Sequence, residues 1–292
     1  MTPRTHRQPL VSAIASLAAL VLACVALEAR ALDRSDCDRS YKPYVGQAGK
    51  DVVWVPTPDE LVQQMLRMAK VTPQDRVYDL GSGDGKIAIA AGKLGATAVG
   101  IEYNADMAKL AQCYVEVAGV QGRTRIIQGD IFKEDFSAAT VVTMYLLPDL
   151  NMRLRPTLLG MAPGTRVTSH QFMMGDWEPD ETAMFEHRSA YLWIVPAQVQ
   201  GTWTLREAGG GNAQHTVALG QTYQKLRGEV VSGGARRPLT AATLRGADLE
   251  LGFADDSGAA RTLVATVRGN ELVGTLKGPG GAETNVTGTR VP

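Results

Sequence analysis

Three glycines in five residues, Gly81, Gly83 and Gly85, stand between a strand-like stretch, Arg76–Leu80, and a helix-like one, Lys86–Leu94. No other feature constrains the fold as tightly. A glycine turn from strand to helix lets a ligand approach the backbone closely, and the helix start adds N–H donors and a positive end. A phosphate-cradling loop needs G-x-x-x-x-G-K-S/T. Here Ile87 follows Gly85-Lys86, and Leu80 occupies the first glycine position. A dinucleotide turn needs G-x-G-x-x-G, but here the third glycine arrives one residue early. Asp79 and Asp84 would also set negative charge where a pyrophosphate belongs. The turn suits a cationic ligand without phosphate.

Around the turn the pattern alternates. Strands are predicted at Arg76–Leu80, Ala98–Tyr103, Arg125–Gln128, Thr140–Leu147 and Arg166–Phe172, and helices at Lys86–Leu94, Ala105–Ala118 and Leu150–Met161. The strands are continuous apolar runs, as in Val141-Val142-Thr143-Met144, which marks a parallel sheet covered on both faces. The expected fold class is α/β, a doubly wound Rossmann-like sheet, finished by strands near Ala183–Arg188 and Tyr191–Val195. An earlier helix is expected to begin with Thr57 as N-cap, Pro58 at the first position and Glu60 completing a capping box.

Two further acids close expected strands. Glu102 ends the second, where a carboxylate can accept from both hydroxyls of a ribose, and Asp130 ends the third, where it can accept from an adenine amino group. S-adenosylmethionine (SAM), with its sulfonium, α-ammonium and adenosine, fits such a cleft. Asp79-Leu80-Gly81-Ser82-Gly83-Asp84-Gly85, Glu102 and Asp130 together resemble the class I SAM-dependent methyltransferases over roughly residues 52–196. The resemblance implies SAM as cofactor, held by Asp79, Gly81, Ser82, Gly83, Gly85, Glu102, Asp130 and Ile131. In that family the segment after the fourth strand faces the substrate, and here it is Tyr145-Leu146-Leu147-Pro148-Asp149-Leu150-Asn151. It lacks the Asp/Asn-Pro-Pro-aromatic motif of enzymes that methylate adenine or glutamine nitrogens.

Val55-Pro56-Thr57-Pro58 and the stretch from Thr143 to Pro148 are similar to the ATP synthase c-subunit lysine methyltransferases and, more distantly, to the Dot1-like group. This likeness implies a protein lysine amine as methyl acceptor. A small-molecule methyltransferase and a non-catalytic SAM-fold binding module are the alternatives. Methyl transfer by in-line displacement asks mainly for alignment. Tyr145, whose hydroxyl could orient an amine, is the candidate catalytic residue, with a core aromatic as the plain alternative. Asn151 and His170, near sheet edges, are further candidates, with caps or solvated loop residues as the favoured expectation. Trp177 is either a pocket wall or packing.

After Ala197 the texture changes. Short β-prone pieces, Thr202–Leu205, Thr216–Leu226, Asp248–Phe253, Thr262–Val267 and Leu272–Leu276, are separated by glycine-rich breaks such as Gly209–Gly211. Residues 197–292 are expected to form a small all-β antiparallel domain, a barrel or sandwich.

At the other end, Arg4, His6 and Arg7 precede an apolar run from Leu10 to Leu27, and Ala29-Arg30-Ala31 has A-x-A spacing. Residues 1–31 read as a signal peptide for export to a periplasmic or extracellular location, with a membrane anchor as the rival; Val21–Cys24 only loosely resembles a lipobox. Residues 32–51 read as a polar lead-in without periodicity. Cys37 and Cys113 could pair in an oxidising compartment, but a tail thiol and a buried helical thiol are the favoured expectation. There is no Cys/His cluster, so no metal is expected. The 30 basic and 30 acidic residues cancel, which argues against a broad nucleic-acid footprint.

Overall fold

A computed structural model describes residues 32–208, 214–232 and 234–291. The expected signal peptide or anchor, with Cys24, lies outside the described residues, as does the break at Gly209–Gly211. No helix among the described residues is long and apolar enough to cross a membrane.

The expected alternation is present as β1 (Arg76–Leu80), α3 (Lys86–Lys93), β2 (Thr97–Glu102), α4 (Ala105–Val117), β3 (Thr124–Gln128), β4 (Val141–Met144), α5 (Pro148–Leu159) and β5 (Arg166–His170), followed by β6 (Glu181–Phe185) and β7 (Arg188–Ile194). The strands form one sheet in the order β3-β2-β1-β4-β5-β7-β6, parallel except for β7, which runs antiparallel to both β5 and β6. Order reverses at β1, between β2 and β4, and the glycine turn sits there, at the switch point where open sheets bind ligands. Val77, Leu80, Ile101, Val141, Val142 and Met144 are buried, so the central strands have water on neither side.

The first helices depart from expectation. Residues 32–51 are not a bare lead-in. Asp33 caps α1 (Arg34–Asp38) with a complete capping box. Cys37 and Cys113 are joined by a disulfide, which overturns the free-thiol expectation. It fastens α1 to α4, where the Tyr114 hydroxyl also bonds Asp38 and Arg34 lies over the Tyr114 ring. Helix α2 (Asp59–Met68) begins without the expected capping box: Pro58 is its N-cap, and no side chain caps it. Thr57 is buried, and its hydroxyl is spent on the ring of His170. A partner 113 residues away has outcompeted the local one, because a buried hydroxyl and a buried imidazole satisfy each other.

Among its described residues the C-terminal part holds nine strands: β8 (Gly201–Glu207), β9 (Gln214–Thr222), β10 (Lys225–Ser232), β11 (Ala235–Pro238), β12 (Ala241–Arg245), β13 (Asp248–Ala254), β14 (Ala260–Arg268), β15 (Glu271–Lys277) and β16 (Glu283–Arg290). They make a single antiparallel sheet, β11-β10-β9-β8-β16-β15-β14-β13-β12, rather than a two-sheet sandwich. The expected run Thr216–Leu226 is in fact two strands meeting at a hairpin. Alternating residues such as Leu249, Leu251 and Phe253, and Leu263, Ala265 and Val267, fill one core on the inner face of the curled sheet.

The β9–β10 hairpin locks the two sheets together. Trp177 is fully buried and is packing, not a wall of the ligand pocket. It stacks on Tyr223 and lies tilted against Trp193, and its indole N–H donates to the Gln224 side chain. Gln224 donates in turn to the Glu178 carbonyl, and the Tyr223 hydroxyl to Asp176. Gln224→Ala strands the buried indole N–H. A loss of about 1–3 kcal/mol is expected in a denaturant melt; an unchanged midpoint would mean that water takes over the bond.

Candidate functional site

The glycine turn is built from positive φ. Gly81, Gly83 and Gly85 have φ of 74°, 55° and 76°, a region that side chains disfavour. Space demands glycine as well. A Cβ on Gly81 would stand 2.9 Å from the Leu146 side chain, and one on Gly83 would stand 2.6 Å from the Trp54 indole. The Gly81 and Ser82 N–H groups are tied to the Ile101 carbonyl, which holds the turn against β2.

Asp79, Glu102 and Asp130, each at the carboxyl end of a neighbouring strand, line one pocket together with Gly81, Ser82, Gly83, Ile131 and Tyr145. Gly85 is the exception. It is the left-handed N-cap of α3, packed beside Ala111, and does not wall the pocket. Ser82 lines the pocket but gives its proton to Asp79, which also accepts from Thr143, at 2.9 Å and 2.7 Å. Glu102 accepts from the Gly83 and Asn104 N–H groups, both at 2.8 Å. Its two oxygens are therefore fixed at the end of β2, each with a lone pair left over. The carboxylate of Asp130 accepts from the Phe132 N–H and from Lys50 at 3.0 Å; both contacts hold it below the usual carboxylate range.

Much of the remaining wall comes from residues 47–57, whose sequence has the texture of a lead-in. Lys50 reaches Asp130 and lies over the Tyr103 ring, and Trp54 sits over Gly83. The missed signal was Trp54, a large apolar residue in a polar stretch. Thr143, Asn104 and Phe172 were missed too, since nothing local in their segments points at the cleft. Asn151 and His170 are neither caps nor solvated: both are buried. The amide of Asn151 donates to the Phe172 and Met173 carbonyls, tying α5 to the segment after β5.

Burial pushes the Asp79 carboxyl up to about 6, with Asp84 and Glu102 adding repulsion against the hydroxyl bonds that oppose the rise. Asp84 is raised by burial as well. A buried acid in this environment is favoured in its ionised form by a neighbouring positive charge. Together with a backbone bare of Cβ atoms, it fits a ligand that carries positive charge and no phosphate, as SAM does. The sign of the pH effect follows. The folded Asp79 titrates above its ordinary value of 3.8, so its contribution to stability is full below about 4 and fades as pH rises through about 6. Binding of a cation favours the ionised acid. SAM affinity is therefore expected to tighten by about tenfold from pH 5 to pH 7 in calorimetric titration, and Asp79→Asn to flatten that profile.

The doubly wound sheet, the bare turn and the acids at its edge define a class I SAM-dependent methyltransferase. Residues 79–181 match the family model of the ANTKMT methyltransferase domain. A protein-lysine N-methyltransferase of Saccharolobus islandicus is 42% identical over 163 residues, which cover 53% of this chain and 97% of that protein. The chain belongs to this protein-lysine N-methyltransferase family. The mouse lysine N-methyltransferase of the ATP synthase c-subunit is 32% identical over 48% of this chain, which spans 58% of that relative's length. A solved RNA methyltransferase from Salinibacter ruber, in complex with S-adenosyl-L-homocysteine, is 48% identical over 50% of this chain and 96% of its own, with a TM-score of 0.49. The relatives match about half of the chain.

Proposed function

We propose that this enzyme moves a methyl group from SAM to the Nζ of a lysine on a partner protein. The observation that carries the reading is the convergence of Asp79, Glu102 and Asp130 on one pocket around the bare turn. The lysine acceptor is supported by the archaeal relative and by two mouse relatives, one named as a lysine N-methyltransferase of the ATP synthase c-subunit and the other as one of the adenine nucleotide translocase.

In this assignment Asp79 faces the α-ammonium, oriented by Ser82 and Thr143. Glu102 would accept from the ribose hydroxyls, Asp130 and Ile131 would hold the adenine, and the Gly81–Gly83 backbone would accommodate the methionine part. When bound, SAM supplies an electrophilic methyl on its sulfonium. The chain supplies alignment and a water-poor wall. Tyr145, which directly follows β4 and lines the same pocket, would orient the incoming amine through its hydroxyl. The amine must reach the site as the neutral base, its ammonium proton having passed to solvent water, and the chain's part is to hold it in line with the methyl carbon.

The test is incubation of the full-length protein with SAM and poly-L-lysine, scoring S-adenosylhomocysteine and methyl-lysine. Methyl-lysine formation supports the reading. S-adenosylhomocysteine formed only with metabolite acceptors would favour a small-molecule enzyme, and SAM binding without turnover on any acceptor would favour a binding module.

We also infer export. The Cys37–Cys113 disulfide supports an oxidising compartment, and the apolar run at Leu10–Leu27 supports a signal peptide or a membrane anchor. Fractionation of cells that make the untagged protein checks it; a cytosolic, thiol-reduced product would overturn it.

A further inference from the structure

His170 is 1% exposed and stands at the end of β5, beside the segment that follows β4. Its ring lies against Tyr145 with centroids 3.8 Å apart. On the edge, its Nδ1 meets the Thr57 hydroxyl at 3.1 Å. The His170 and Tyr145 planes are tilted by 32°, while Phe172 stacks on Tyr145 with centroids 6.1 Å apart and planes 20° apart. Thr57, Tyr145 and Phe172 all line the pocket, whereas His170 does not. Three separate segments, the entry to α2, the exit from β4 and the exit from β5, thus meet on one imidazole behind the wall.

Burial pushes the His170 ring down to about 4, with the charge of Arg188 adding to the effect. A ring that gains a proton only in acid is a poor acceptor for an amine proton at neutral pH. It is well suited to a neutral stacking role, because it can keep one hydrogen bond and present its face without carrying charge into the core. A planar neighbour at this distance restricts the tilt of the Tyr145 ring, and the Thr57 bond restricts the rotation of the imidazole itself.

We propose that His170, pinned by Thr57, is a positioning residue that sets the Tyr145 ring for the acceptor amine. This rests on the placement of Tyr145 at the acceptor end proposed above. Its consequence is a split between cofactor and acceptor. Removing the ring should leave SAM affinity alone and lower turnover, because a phenol swung away from the amine loses alignment rather than binding.

The experiment uses full-length protein, wild type and the variants His170→Ala, His170→Phe and Thr57→Val, with tyrosine rings labelled in 13C and Tyr145→Phe to assign the signal. In His170→Ala the Tyr145 ring resonances are expected to shift and average. In His170→Phe and in Thr57→Val, both of which keep a ring in place and lose the bond, they should fall between wild type and His170→Ala. On poly-L-lysine, kcat is expected to drop by about tenfold or more in His170→Ala, with recovery in His170→Phe and an unchanged Kd for SAM. Unaltered Tyr145 resonances in His170→Ala would overturn the proposal, as would a Kd for SAM that rises by the same factor as kcat falls. If the resonances move while wild-type protein leaves poly-L-lysine untouched, the lysine acceptor falls and the positioning of Tyr145 by His170 stands.

Discussion

Replacing Glu102 with alanine is expected to weaken SAM binding by about 100-fold in calorimetric titration, or about 2.8 kcal/mol. The side chain works twice. It fixes the Gly83 N–H and the Asn104 N–H, so it holds the glycine turn and the start of α4 in register with β2. In the assigned pose it also accepts from two ribose hydroxyls, and each hydrogen bond to a charged group contributes about 1.5–3 kcal/mol. Relaxation of the turn and entry of water offset part of that sum. Glu102→Gln separates the two roles: the amide oxygen can still accept from one N–H, so the turn survives better than the affinity. An affinity unchanged in both variants would remove Glu102 from the cofactor site.

The second large effect concerns Cys37 and Cys113. Converting both to serine opens a loop closed across 76 residues. In the chain-entropy account, closing a loop of that length restricts the unfolded state by about 4 kcal/mol. A fall in Tm of about 10 °C is the expected reading by calorimetry. Wild-type protein treated with a thiol reductant should melt with the variant, and an identical Tm for oxidised and reduced protein would show that the pair stabilises nothing. SAM affinity should fall too. The disulfide anchors the near end of the segment that brings Lys50 to Asp130 and Trp54 over Gly83, so the variant must order that wall anew at each binding event.

The cofactor side of this protein was legible in sequence because its chemistry is local. Asp79, the three glycines, Glu102 and Asp130 each sit at a strand end, and an alternating α/β pattern brings strand ends together whatever the loops do. Gly85 looked like the other two glycines, yet its left-handed backbone starts a helix instead of meeting a ligand. What stayed illegible depends on distant partners. Nothing near Thr57 says that its hydroxyl faces His170 rather than the first turn of α2. The pairing of Cys37 with Cys113 depends on α1 lying along α4, which the aperiodic stretch at 32–51 does not reveal. Asn151 and His170 looked like surface polar residues because the partners they bond lie on other segments of the fold. In the C-terminal sheet, alternation located β8, β9, β13, β14 and β15, whereas the short edge strands β11 and β12 and the central strand β16, whose run Glu283–Arg290 buries only Val286 and Gly288, carried too little apolar pattern to stand out.

The segment from Cys37 to Pro58 is fastened at both ends, by the disulfide at one and by the packed start of α2 at the other. A cover of that kind cannot peel back from a loose tip. Residues 47–57 wall the pocket, so widening it on that side means moving a strap tethered at two points and parting Lys50 from Asp130.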